Sequence, residues 1–276
     1  MGGKFMRLTL TVLLVIVFAA CGQQPDTGQS EAAAPATTAP SPVDEPDVSI
    51  YEAAVVNEKR SAADRARDAD RKPTQMLEFI GITRGMTVLD MFSGGGYYSE
   101  ILASVVGNDG KVFAHSNEAY LQYVGDEFSN RYANDRLPNV EILMAENNEL
   151  SLDPESLDAV MLVLSFHDLF YAAPEQGWPL IDVTPFLAEL YKGLKPGGLV
   201  GVVDHHAKAG SPSETGSTLH RIDPAIVIER MQAAGFELLA QSDVLRNPQD
   251  DLIVSVFDAS IRGKTDRFVL RFCKPE

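Results

Sequence analysis

The sequence predicts a doubly wound α/β domain with a mostly parallel sheet, and three observations carry that reading. Apolar runs of strand length alternate with helix-patterned segments from residue 87 onward. The run Val88-Leu89-Asp90-Met91-Phe92-Ser93-Gly94-Gly95-Gly96-Tyr97-Tyr98 ends an apolar strand in an acid and three glycines. At 276 residues, 45% of them hydrophobic and 22% charged, the chain has material for one large core. Strands separated by helices imply right-handed βαβ units with both sheet faces covered, and ligands on such sheets sit at the C-terminal strand ends where the strand order reverses.

The first elements lie outside that domain. Lys4 and Arg7 form a positive n-region, Leu8 to Phe18 an apolar h-region, and Ala19-Ala20-Cys21 follow. This reads as a secretory signal over residues 1–20, too short to span a bilayer as a helix. The small pair before Cys21 resembles the lipobox of bacterial lipoproteins, which implies lipidation of the Cys21 thiol and a periplasm-facing, membrane-anchored protein of the cell envelope. Residues 21–49 are rich in Gln, Ala, Thr, Ser and Pro, a composition that buries too little apolar surface to fold, so a tether is expected there and the folded unit is residues 50–276. With Cys21 lipidated, Cys273 has no partner, and stability rests on packing rather than a disulfide.

Within the folded unit, Tyr51 to Arg71 is charged and Ala-rich, with Asp64/Arg67 and Asp68/Lys72 spaced to meet on a solvated helix. Pro73 opens a second helix through Ile80, and Gly81 and Gly85 turn the chain into a strand at Thr87 to Met91. A helix from about Tyr98 to Val106 follows, then strand Lys111 to His115, helix Glu118 to Tyr132, and strands Val140 to Ala145 and Leu157 to Ser165. Helix Thr184 to Leu194, strand Leu199 to Asp204, helix Pro224 to Ala234 and strand Phe236 to Val244 continue the alternation. The late apolar runs Ile253 to Phe257 and Arg267 to Phe272 are expected to close the sheet as a hairpin, putting an antiparallel strand into it.

The glycine run brings backbone N–H groups close to a ligand, with the positive end of the following helix aimed at the same place. The net charge of −16 excludes a nucleic-acid binder, since no Lys/Arg cluster is dense enough to neutralise a row of phosphates. A dinucleotide fingerprint needs Gly-x-Gly-x-x-Gly, and Gly94-Gly95-Gly96 is followed by Tyr97, Tyr98, Ser99 and Glu100, so the third glycine is missing and an NAD-dependent dehydrogenase is disfavoured. Asp90 at the mouth of the loop suits a ligand with an amino group better than a pyrophosphate.

These residues resemble the class I S-adenosylmethionine-dependent methyltransferases, whose first motif is a strand, Asp-x-Gly-x-Gly-x-Gly and a helix. Leu190 to His206, "LYKGLKPGGLVGVVDHH", and Met231 to Leu239, "MQAAGFELL", look like later turns and strands of the same family. "RARDADRKP" before the core and "LHRID" after the fifth strand are similar to a group of bacterial predicted methyltransferases. The resemblance covers about Pro73 to Phe272 and implies a Rossmann-like sheet of seven strands with an antiparallel strand near the C-terminus. It implies S-adenosylmethionine as cofactor, with Asp90 on the methionine amino group and Ser93, Gly94, Gly95 and Gly96 approaching through their backbones. Phe92, where the first glycine is usual, narrows the loop. Asn117 takes the place of the acid that commonly meets the ribose, and Glu146 matches the acid that meets the adenine amino group.

His167 and Asp168 follow the fourth strand, where this family often places groups facing the methyl acceptor, and His205 follows Asp204 at the end of the fifth. An imidazole takes up a proton near neutral pH, which makes His167 the candidate base, with Asp168 and His205 beside it. His205, His206, His220 and Asp223 match no metal-ligand spacing, so no metal is expected. The function expected is methyl transfer to a small or lipid-like acceptor. The alternative is a membrane-tethered binding module that has lost catalysis, with Phe92 and the missing ribose acid as its scars.

Overall fold

The computed structural model describes residues 48–276. The signal segment, Cys21 and almost all of the expected tether lie outside the described residues.

Seven strands form one sheet in the order β3-β2-β1-β4-β5-β7-β6. They are β1 (Thr87–Met91), β2 (Lys111–Ser116), β3 (Val140–Met144), β4 (Leu157–Val163), β5 (Leu194–His205), β6 (Glu237–Ser242) and β7 (Arg267–Cys273). β1 pairs in parallel with β2 on one side and β4 on the other, so the order reverses at β1 and opens a crevice at its C-terminal end. β7 runs antiparallel between β5 and β6. The central strands are buried on both faces, and the burial of Val88, Leu89, Val160, Met161 and Val202 shows why they read as near-continuous apolar runs. Two apolar clusters result, one on each face of the sheet. Leu162, Phe186, Leu190 and Phe272 belong to the first, and Tyr51, Ile80, Ile101 and Val269 to the second.

Helices α1 (Val48–Val55), α2 (Ala62–Arg71), α3 (Pro73–Ile80), α4 (Tyr97–Val106), α5 (Glu118–Val124), α6 (Asp126–Tyr132), α7 (Val183–Gly193), α8 (Thr215–Leu219) and α9 (Pro224–Ala233) complete the described chain. Two of the expected helices are each divided in two. The helix read over Tyr51 to Arg71 is two: the first buries Tyr51 and Ala54, and the second, capped by Ser61 accepting from the Asp64 N–H, is largely exposed as expected, with Asp64 its one buried residue. Asp68 pairs not with Lys72 but with Arg60, and it accepts from the Tyr97 hydroxyl at 2.6 Å. The helix read over Glu118 to Tyr132 breaks at Gly125, whose φ of 56° ends α5 and starts α6.

The C-terminal hairpin is also rearranged. Ile253 to Phe257 is not a strand, and β6 pairs with β7 in its place. Side-chain oxygens of Asp250, Asp251 and Ser255 each accept from the backbone N–H two residues on, which turns the chain where its apolar residues suggest an extended run. The bent segment is anchored by Arg221, fully buried, whose guanidinium grips the Asp250 carboxylate in two bonds of 2.9 and 3.0 Å. No helix among the described residues is long and apolar enough to cross a membrane.

Candidate active site

A cavity of about 950 Å³ opens at the C-terminal ends of β1, β4 and β5. Asp90, Gly94 and Gly95 line one end, His167, Asp168 and His205 the other, and Tyr120, Tyr171 and Trp178 the wall between them. Eight of the sequence-predicted site residues thus share one space, Phe92 and Ser93 among them. Gly96, Asn117 and Glu146 do not line it.

The glycine end is built by the chain itself. Phe92 ends β1 with φ 56°, the left-handed region the first glycine of the related motif would occupy freely. Its ring does not narrow the loop: it stacks between Tyr120 and Phe186, with centroids 5.2 and 5.8 Å away, and belongs to the core beneath. Ser93 turns back to β2, donating through both N–H and Oγ to the His115 carbonyl at 2.9 and 3.0 Å. His115 is itself a brace. Its Nδ1 accepts from the Phe92 N–H, its Nε2 faces the Ala145 carbonyl at 3.0 Å, and burial pushes its pKa down to about 4, so the ring is neutral.

Gly95 and Gly96 are required by a neighbour within the chain. A Cβ on Gly95 would collide with Glu127, and one on Gly96, whose φ is 76°, would lie 2.7 Å from the Tyr132 hydroxyl. Both contacts come from α6, which covers the outer side of the loop. Arg131 of α6 donates to the Gly95 carbonyl at 2.8 Å and to the buried Asp64 and Glu100 carboxylates. This network ties α2, α4 and α6 together behind the loop, and it holds both carboxyls below their usual range despite the opposing effect of burial.

Asp90 accepts a 2.6 Å bond from Ser99 Oγ and is 3% exposed. Burial dominates its environment and pushes its pKa up to about 6, against the Ser99 bonds and the charge of Arg71. A carboxylate held in the wall of a cavity with one hydroxyl for support is poised for an ammonium. Arg71, over the Tyr97 ring at 4.6 Å, and Arg67 line the same end. They belong to the "RARDADRKP" stretch, whose charges have the spacing of a solvated helix; the signal that could have found them is its four basic residues so close to the glycine strand.

Asn117 and Glu146 are committed elsewhere. The Asn117 side chain caps α5, accepting from the Tyr120 N–H at 2.9 Å, and Glu146 accepts from the Glu118 N–H at 3.3 Å. Tyr120 instead reaches across the cavity wall, packing on Phe92 and Trp178 and donating its hydroxyl to Asp168.

At the far end, His167 sits between two carboxylates. Its Nδ1 lies 2.8 Å from Asp204 and its Nε2 3.2 Å from Asp168, while its backbone N–H donates to the other Asp204 oxygen at 2.8 Å. Burial opposes the charge, but Asp204 and Asp168 outweigh it and lift the imidazole pKa to about 10. The ring without other ligands is therefore an imidazolium, which donates rather than accepts, and the expectation that it is a free base is corrected on that ground. Asp168 is held well below the carboxylate range: burial acts against its charge, and His167, His220 and Tyr120 overcome it. His205 lies 2.6 Å from Thr265 Oγ1, and burial keeps it neutral with the charge of His167 adding to the effect. His220 completes the group, its Nδ1 3.7 Å from Asp168.

Comparisons with known proteins agree with this architecture. The family model for protein-L-isoaspartate(D-aspartate) O-methyltransferase matches residues 64–147, from α2 to just past β3. The ubiquinone/menaquinone biosynthesis C-methyltransferases UbiE of Escherichia coli and Shigella boydii are each 25% identical over 191 residues, covering 68% of this chain and 70% of theirs. A SAM-dependent methyltransferase structure from Aquifex aeolicus superposes with a TM-score of 0.54 at 24% identity, over 77% of this chain and 95% of that one. Fold and glycine-loop site thus define the class that this chain is similar to: its sheet and crevice are those of the class I methyltransferases. S-adenosylmethionine is the cofactor that the fold and the relatives imply.

Proposed function

We propose that this chain transfers a methyl group from S-adenosylmethionine to a small or lipid-like acceptor, and that both lie in the single cavity at the ends of β1, β4 and β5. The observation that carries the reading is the continuity of that cavity. An ammonium-seeking carboxylate and a glycine loop stand at one end, and an aromatic, histidine-lined chamber at the other.

The residues present fit the cofactor. Asp90 would take the methionine ammonium, Arg71 the methionine carboxylate, and the Gly94 and Gly95 backbone would lie along the amino-acid moiety. Glu127, exposed beside Gly95, is an acid free to meet the ribose where Asn117 is not. When bound, the cofactor supplies an electrophilic methyl group. The chain's task is then to seat the acceptor in line with it, since positioning accounts for much of the acceleration in such transfers. Tyr171 and Trp178 offer flat apolar faces, and Asp168, ionised beside them, is a group able to accept a hydrogen bond from the acceptor. The ubiquinone/menaquinone biosynthesis for which the UbiE relatives are named supports a lipid-like acceptor. So does the lipid anchor we propose at Cys21, which would hold the domain at the envelope membrane.

Melting the full chain with S-adenosylmethionine, S-adenosylhomocysteine or NAD tests the reading. At about a hundred times its dissociation constant a ligand stabilises the fold by ~2.7 kcal/mol, so the first two are expected to raise the midpoint by several degrees. A shift with NAD alone would overturn the assignment. Incubation with methyl-labelled cofactor and an envelope lipid extract should then transfer label into the organic phase.

A further inference from the structure

We propose that His167, Asp168 and His220 form a binding site for one divalent transition-metal ion, of the zinc type, in the acceptor end of the cavity. The ligand atoms would be His167 Nε2, an Asp168 carboxylate oxygen and His220 Nδ1.

Three features of the geometry support it. First, the spacing is that of a ligand set. Nε2 of His167 and Nδ1 of His220 lie 3.2 and 3.7 Å from the same Asp168 oxygen, and all three atoms fall within 4.8 Å of one another. A tetrahedral ion with bonds of about 2.0–2.1 Å keeps its ligands about 3.3 Å apart.

Second, each ligand is already oriented by a partner behind it. Asp204, wholly buried, holds His167 by Nδ1 and is itself fixed by the backbone N–H groups of His167 and His205. This is the carboxylate–histidine arrangement that leaves the other ring nitrogen to a metal. Tyr120 occupies one Asp168 oxygen and leaves the second facing the two histidines. His220 adopts a left-handed φ of 52° at the end of α8, a strained conformation that turns its ring toward them.

Third, the donor set suits the ion: two imidazoles and a carboxylate face one another, with the second carboxylate, Asp204, directly behind His167. Three protein ligands leave a coordination position open to the cavity, where an acceptor oxygen or nitrogen could bind and be polarised. The sequence spacing gave no sign of this, because the ligands come from the turn after β4 and from the end of α8, distant in the chain and brought together where α8 packs against the segment that holds His167.

The test uses the full-length, untagged chain, stripped with chelator and titrated with ZnCl2 by calorimetry, with metal content confirmed by elemental mass spectrometry. One equivalent is expected in the wild-type protein and in His206→Ala, whose histidine lies outside the cluster. His220→Ala and Asp168→Asn should each lose at least a hundredfold in affinity, and Asp204→Asn ten- to a hundredfold. Co2+ in place of zinc should give the visible absorption of a four-coordinate site in the wild type and not in His220→Ala. Absence of binding, or binding unchanged in His220→Ala, overturns the proposal. The shift with S-adenosylmethionine, measured on the same samples, separates this outcome from failure of the methyltransferase reading: a chain that binds cofactor but no metal refutes only the metal site.

Discussion

Asp90 and Phe92 show how single positions at the end of β1 carry both cost and function. A carboxyl raised to about 6 by burial binds a proton more tightly folded than unfolded, so between pH 3.8 and 6 its contribution to stability falls as pH rises. Above pH 6 it is a penalty on the order of 3 kcal/mol. Asp90→Asn should therefore melt higher than wild type at pH 7.5, with the gap closing toward pH 4, in thermal scans without ligand. The same variant should bind S-adenosylmethionine ten- to a hundredfold more weakly by calorimetry, since a hydrogen bond to a charged group is worth about 1.5–3 kcal/mol. Wild-type affinity should fall as the pH drops below about 6, because the ammonium needs the ionised carboxylate; a flat profile would show that Asp90 does not hold it. Phe92 costs about 1–2 kcal/mol through its left-handed backbone, yet its ring fills the core against Tyr120 and Phe186. Phe92→Gly should lower stability by a few kcal/mol in urea unfolding, the lost packing exceeding the relieved strain.

At the scale of elements, a buried ion pair shapes one wall of the cavity. Arg221 and Asp250 pin the bent segment that puts Phe257 against His220, with ring centroids 4.8 Å apart. Arg221→Met leaves Asp250 buried and unpaired and should cost about 3–5 kcal/mol, while Arg221→Met with Asp250→Leu should recover most of it, both read from denaturant midpoints. Sequence patterning made the strands and most helices legible because apolar periodicity is local and the central sheet is buried on both faces. It misread the elements whose polar groups are satisfied from afar. Asp64 meets Arg131 across 67 residues, so one side chain of the otherwise exposed α2 is buried where the composition shows only a surface helix. Ile253 to Phe257 has strand composition, but neighbouring Asp and Ser side chains take its backbone N–H groups into turns.

For the molecule as a whole, the depressed carboxyls outnumber the raised one. Asp64, Glu100 and Asp250 owe their low pKa values to arginine partners that overcome burial. Their stabilisation is fully present above the unfolded carboxyl range and is lost as pH falls through it. His115 and His205, kept neutral by burial, add stability as pH rises toward 6.5 and offset Asp90, while the contribution of His167 is lost as pH rises from 6.5 toward 10. A pH series of melting curves should therefore peak near pH 6.5 and drop steeply below pH 4; a monotonic rise to pH 8 would mean that Asp204 and Asp168 do not hold His167 charged.

By itself the sequence determined the class of fold, the strand that carries the glycine loop and the acid beside it, because periodicity, turn chemistry and a short motif are all written within a few neighbouring residues. Only the tertiary structure decided which polar groups face the cavity. It turned Phe92 into the core, gave Asn117 and Glu146 to backbone N–H groups, drew Arg71 in, and closed His167, Asp168, Asp204 and His220 into one cluster. The reason is physical: a buried polar group is fixed by the partner that satisfies it, and here those partners come from 28 to 67 residues away or, for Asn117, from the first turn of the helix it caps.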